Sequence, residues 1–126
     1  MNDAGRTATI LVVDDDPVLV ETVASLLELE GFGVIASYEP QHALDRASAA
    51  DALDLLLSDV AMPLLDGPGL AALIRAARPE VRVLYMSGYP VEVASESFGL
   101  PEGAPFLRKP FTRAALTRAI RDALAG

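Results

Sequence analysis

Ile10-Leu11-Val12-Val13 and Leu55-Leu56-Leu57 are unbroken apolar runs with no polar alternation. A strand with one wet face alternates, whereas a strand covered on both faces does not. The runs therefore demand a sheet with protein on either side. Shorter runs over 33–37, 81–86 and 105–108 read the same way, and the second long run is placed over 54–58. Between the runs, apolar residues recur at helical spacing. Leu19, Val20, Val23, Leu26 and Leu27 share one face behind an Asp16 cap and Pro17 at the first helical position, and Gly31 closes that helix. Ala43, Leu44 and Ala47 mark a helix over 40–49. Leu70, Leu73, Ile74 and Ala77 mark another over 69–77, stopped by Pro79. The pattern over 91–98 is weak but admits a short helix. Thr112 caps a final helix that buries Leu116, Ala119, Ile120 and Leu124. Five β-α units in succession specify an α/β fold, a doubly wound parallel sheet with right-handed crossovers.

Ligands of such sheets sit outside the carboxyl ends of the strands. Four runs end there on residues suited to phosphate and metal: Asp14-Asp15-Asp16, Asp59, Ser87 and Lys109. Lys109 is the only lysine, beside nine arginines. Adjacent carboxylates at the end of a buried strand repel one another, and a bound cation relieves that repulsion. A lysine ammonium is a compact point charge, which suits a phosphoryl oxygen differently from a guanidinium.

The 126 residues make one domain with a core over about 9–124 and a polar, flexible tail over 1–7. The formal net charge of −8 leaves no electrostatic footprint for nucleic acid and little attraction to anionic membranes. The absence of cysteine rules out disulfides and thiolate metal sites. No run approaches the ~20 apolar residues of a membrane span, and the amino terminus lacks a signal-like apolar core. A cytoplasmic setting is expected.

Asp14-Asp15, Asp59 within Asp59-Val60-Ala61-Met62-Pro63-Leu64-Leu65-Asp66-Gly67, Ser87-Gly88 and Lys109-Pro110-Phe111 resemble the receiver domains of bacterial two-component response regulators. The resemblance extends over about 9–124, and its strength lies in four motifs in order on the right element ends. It implies a flavodoxin-like (βα)5 fold with strand order 2-1-3-4-5, and phosphorylation of Asp59 by a histidine kinase or histidine phosphotransfer protein. It implies Mg²⁺ held by Asp14, Asp15, Asp59 and the backbone carbonyl of Ala61, with Lys109 and Ser87 meeting the phosphoryl group. It further implies a switch in which Ser87 moves toward the phosphoryl group and Phe106 turns inward behind it, and a cis Lys109-Pro110 bond. The surface formed by 91–98, 105–108 and the last helix would then engage a downstream protein partner. Arg108, Arg113, Arg118 and Arg121 would make that side locally basic. Ser87-Gly88-Tyr89-Pro90 and Gly103-Ala104-Pro105 are closer to receivers of hybrid histidine kinases than to those fused to DNA-binding domains.

On this reading the chain is a stand-alone phosphoacceptor rather than a turnover enzyme, one that assists its own phosphorylation and dephosphorylation. Two alternatives remain. Asp14-Asp15-Asp16 contains an Asp-x-Asp, as in haloacid-dehalogenase-type phosphohydrolases, which would make Asp14 the nucleophile, although a cap insertion is missing. A non-phosphorylated pseudo-receiver would only bind proteins, although such domains usually lose an acid or the lysine. Bland roles suit other residues: Asp16 as a helix cap, Asp66 as a loop or cap residue, and His42 as an exposed helical side chain.

Overall fold

A computed structural model describes residues 7–126. The tail expected over 1–7 falls, apart from Thr7, outside the described residues. The elements alternate strictly: β1 (Thr9–Val13), α1 (Pro17–Leu29), β2 (Gly33–Ser37), α2 (Pro40–Ala49), β3 (Leu55–Asp59), α3 (Gly67–Ala77), β4 (Arg82–Ser87), α4 (Val91–Phe98), β5 (Phe106–Arg108) and α5 (Arg113–Ala125). All strand pairs are parallel, and the order is β2-β1-β3-β4-β5.

The unbroken apolar strands do what their composition requires. Ile10, Val12, Leu55, Leu57, Leu84 and Met86 point to one face of the sheet. There they pack against Val20, Val23 and Leu27 of α1 and Leu116, Ile120 and Ala123 of α5. Leu11, Val13, Leu56 and Tyr85 point to the other face, under Ala43 and Ala47 of α2, Leu70, Ala71 and Ile74 of α3, and Ala94 of α4. Alternate residues of each strand thus feed two separate cores, as the two-residue period of a strand dictates.

Caps set where the helices begin. Asp16 Oδ1 accepts from the Val18 and Leu19 amides, and Pro17 follows. Asp66 Oδ1 accepts from Gly69 N at 2.8 Å, and Thr112 Oγ1 accepts from Ala115 N at 3.0 Å. Each oxygen satisfies an amide that the first turn leaves unpaired. The weakly patterned segment does form a helix over Val91–Phe98, ended by left-handed Gly99 (φ 70°).

Helix α3 departs from expectation. It begins at Gly67, not at residue 69, and Leu73 is 51% exposed while Ala77 is exposed as well. Gly67 and Ala71 take the inward places instead. The reason is a close approach at the start of the helix: a Cβ on Gly67 would lie 2.5 Å from the Asp59 carbonyl oxygen. That contact, with Gly67 N donating to Val60 O at 2.8 Å, turns the Leu70-Ala71-Ile74 face inward. Two strands also shift by one residue. β3 runs through Asp59 and excludes Asp54, and β4 runs through Ser87 and excludes Val81. In urea denaturation we expect Leu70→Ala to cost about 2–5 kcal/mol and Leu73→Ala less than about 1 kcal/mol. Equal losses would contradict this helix register.

Candidate functional site

The carboxyl edge of the sheet is where the polar strand ends meet. Asp14 directly follows β1, Asp59 closes β3, Ser87 closes β4, and Lys109 follows β5. Asp14, Asp59 and Ser87 are 1%, 7% and 1% exposed, so three polar side chains are buried at one edge. Asp15 is exposed beside them. Carboxylate oxygens of Asp14, Asp15 and Asp59 lie within 4.8 Å of one another, an arrangement able to hold a metal ion.

Lys109 Nζ bridges the two buried acids, 2.7 Å from Asp14 Oδ2 and 3.2 Å from Asp59 Oδ1. Asp14 Oδ1 accepts from the Asp16 amide at 3.0 Å, so both of its oxygens are engaged. Ser87 Oγ accepts from Tyr89 N at 3.0 Å, while Ser87 O accepts from Lys109 N at 2.7 Å. The Lys109-Pro110 bond is cis, as the resemblance implied.

The electrostatics follow from burial. Withdrawal from water pushes the Asp59 carboxyl up to about 6, helped by the Asp14 charge and opposed by Lys109. Burial also raises Asp14, against the Lys109 hydrogen bond. For Lys109, burial works against the ammonium, but the Asp14 hydrogen bond and the Asp59 and Asp14 charges outweigh it, so its pKa rises. Two buried acids share one cation, and the cluster stays short of positive charge. An oxygen-rich, electron-rich pocket of this kind fits a small hard divalent ion.

A family-wide sequence model of the response regulator receiver domain matches residues 10–121. This chain belongs to that family. The receiver is 39% identical over 117 residues to the transcriptional regulatory protein CpxR of Escherichia coli K12, covering 91% of this chain and 48% of CpxR. It is 27% identical over 123 residues to the sensor kinase CckA of Brucella abortus, covering 97% of this chain and 13% of CckA. It therefore spans about half of one relative and a small part of the other. Among solved structures, a response regulator receiver protein from Sinorhizobium medicae superposes with a TM-score of 0.82 at 30% identity, covering 96% of this chain and 97% of that one. The receiver domain of the hybrid histidine kinase CckA superposes with a TM-score of 0.78 at 31% identity, covering 93% and 99%. These matches place the receiver in two-component signalling, where receiver domains interact with histidine kinases or phosphotransfer proteins. Among the described residues no helix is long and apolar enough to cross a membrane.

The structure brings Asp14, Asp15, Asp59 and Lys109 together as the sequence reading required, with Ser87 joined to Lys109 through its backbone. Ala61 lies two residues beyond Asp59 on the following loop. Phe106 is half-buried, packed against the core that contains Tyr85, its register partner on β4. His42 is exposed on α2, its Nδ1 3.2 Å from Oγ of Ser37, the last residue of β2. The expected basic patch is partly neutralised. Arg113 and Arg121 pair with Glu30 at 3.0 and 3.3 Å, and Arg121 also lies 5.4 Å over the Phe32 ring. Two features escaped the sequence reading. Leu64 follows Pro63 on the loop after Asp59 with φ 74° and a fully exposed side chain, a backbone state that Leu disfavours. Arg108 Nε donates to Gly88 O at 2.9 Å, a contact between β5 and the β4–α4 loop.

A folded pKa above the ordinary carboxylate value means that the native state binds the extra proton, so Asp59 loses stability for the metal-free fold as pH rises from about 4 to about 6. With chelator at pH 7.5, Asp59→Asn should stabilise the receiver by about 1–2 kcal/mol, a figure discounted for the Lys109 pairing it forfeits. The gain should vanish near pH 4. Denaturant titrations at both pH values check this, and a pH-independent gain would refute the electrostatic cause.

Proposed function

We propose that this receiver accepts a phosphoryl group on Asp59 from a phosphohistidine, with Mg²⁺ as the metal. The carrying observation is the Asp59 carboxylate itself: nearly buried, 3.2 Å from Lys109 Nζ, with Asp14 and Asp15 oxygens beside it. Asp14, Asp15 and Asp59 would hold the ion together with the Ala61 carbonyl, whose position two residues past Asp59 fits that share. Bound there, Mg²⁺ supplies the positive charge that lets an anionic carboxylate meet an anionic phosphoryl group.

The residues divide the remaining work. An Asp59 oxygen forms the new bond to phosphorus as the phosphorus–nitrogen bond of the donor histidine breaks, and the bonding pair returns to the imidazole. Lys109 Nζ exchanges its place between the two carboxylates for a phosphoryl oxygen. Ser87 Oγ gives up the Tyr89 amide and donates its proton toward another phosphoryl oxygen. Phe106 then packs more deeply into the space behind Ser87, which alters the surface of α4, β5 and α5 for a downstream protein. As Phe it does so without a phenol hydrogen bond to make or lose. In this scheme the receiver is a stoichiometric acceptor that assists its own phosphorylation and dephosphorylation, not a turnover enzyme. Both Asp14 oxygens accept hydrogen bonds, from Lys109 Nζ and the Asp16 amide, which suits Asp14 to holding the pocket together and supports Asp59 as the acceptor.

Intact-mass measurement after incubation with Mg²⁺ and acetyl phosphate tests the proposal. One phosphoryl group should be added, be prevented by chelator, and be absent from Asp59→Asn. Full labelling of Asp59→Asn would move the nucleophile elsewhere. A second outcome concerns the ammonium. Lys109→Ala should keep Mg²⁺-dependent thermal stabilisation, because the three carboxylates remain. It should nevertheless fail to shift the amide resonances of α4 and β5 on phosphorylation. A normal shift in phosphorylated Lys109→Ala would remove Lys109 from the switch.

A further inference from the structure

We propose that Arg108 is a positioning residue that latches the switch in its resting state. Its guanidinium holds the start of the β4–α4 loop and so sets how readily Ser87 turns toward a phosphoryl group. The part concerning phosphoryl transfer rests on the function proposed above; the latch itself does not.

Three hydrogen bonds define the resting loop. Tyr89 N donates to Ser87 Oγ at 3.0 Å, Lys109 N donates to Ser87 O at 2.7 Å, and Arg108 Nε donates to Gly88 O at 2.9 Å. The first must be surrendered when the Ser87 hydroxyl reorients, because that oxygen then faces the pocket rather than the Tyr89 amide. The second belongs to the parallel ladder between β4 and β5, where Ser87 and Arg108 are register partners. The third is the only one of these that a side chain of another element supplies, and its acceptor is the carbonyl of the Gly88–Tyr89 peptide group. Any swing of that segment works against it.

The location of Arg108 adds a second connection. Phe106 and Arg108 are two residues apart on β5 and so share a face of the strand. Lys109, the next residue, reaches the buried acids. The end of β5 therefore grips the acid pair through Lys109 and the adjacent loop through Arg108, on the same face as the aromatic residue of the switch. Arg108 is exposed, with room to release the carbonyl without disturbing either core. A surface hydrogen bond from a charged donor is worth enough to shift a balanced two-state loop about two- to fivefold, and too little to lock it. That size suits a latch.

Amide hydrogen exchange of the unphosphorylated receiver tests this directly. In Arg108→Ala, protection of the Tyr89 amide should fall about two- to fivefold, while the Leu56 amide in the central strand β3 reports any change in global stability. Unchanged Tyr89 protection, or a loss matched at Leu56, overturns the latch whether or not Asp59 accepts phosphate. Labelling by acetyl phosphate with Mg²⁺ should also be about two- to fivefold faster in Arg108→Ala. Arg108→Gln removes the charge but keeps an N–H donor at the place of Nε, and it should stay closer to wild type than Ala in both measurements. Ala-like behaviour of the Gln variant would assign the effect to charge and overturn the hydrogen-bond latch. Failure of the wild-type receiver to label at all would instead sink the phosphoacceptor function and leave the exchange result to judge the latch.

Discussion

Burying Asp14 and Asp59 next to each other, with one ammonium between them, is the constraint around which the rest of the receiver is arranged. Like charges out of water are costly, and a single Lys109 offsets only part of that cost. The fold tolerates the arrangement because the two cores around it are apolar and continuous, with most strand side chains buried. Stability gained along the strands is given back at their carboxyl ends. Such local conflict between stability and chemistry is common at sites that bind or react.

Sheet topology turns that conflict into a pocket. β1 and β3 are neighbours, so Asp14 and Asp59 come together although 45 residues separate them. β4 and β5 continue the sheet beyond β3, which brings Ser87 and Lys109 to the same edge. Gly67 closes the arrangement, because only a residue without a side chain lets the start of α3 rest on the Asp59 carbonyl. The backbone that carries the nucleophile candidate is thus pinned by a helix while its side chain faces the acids. Within the site the acid pair is held by burial, and the loop after Ser87 is held by a few hydrogen bonds.

Much of this was legible from residue order. Unbroken apolar runs identified strands covered on both faces, and the caps Asp16, Asp66 and Thr112 stand where polar side chains precede helical spacing. The polar strand ends named the site before any distance was known. Misreadings came where periodicity competes with packing. Leu73 and Ala77 fit an apolar face by spacing, yet the approach of Gly67 to Asp59 rotates α3 so that Ala71 is inward and Leu73 is not. The basic patch looked stronger in sequence because Glu30 lies 83 residues from Arg113 and 91 from Arg121. No local pattern announces a pairing at that range.

Composition and order by themselves determined the class of fold, the number of β-α units and the side chains that end each strand, because those follow from the period of apolar residues and from local capping. Tertiary structure alone decided which charges meet, how far Lys109 is shared between two acids, which face α3 presents, and that Arg108 reaches the Gly88 carbonyl. These depend on distances between elements far apart along the chain. Such distances are set by how two cores pack against one sheet, not by any neighbouring residue.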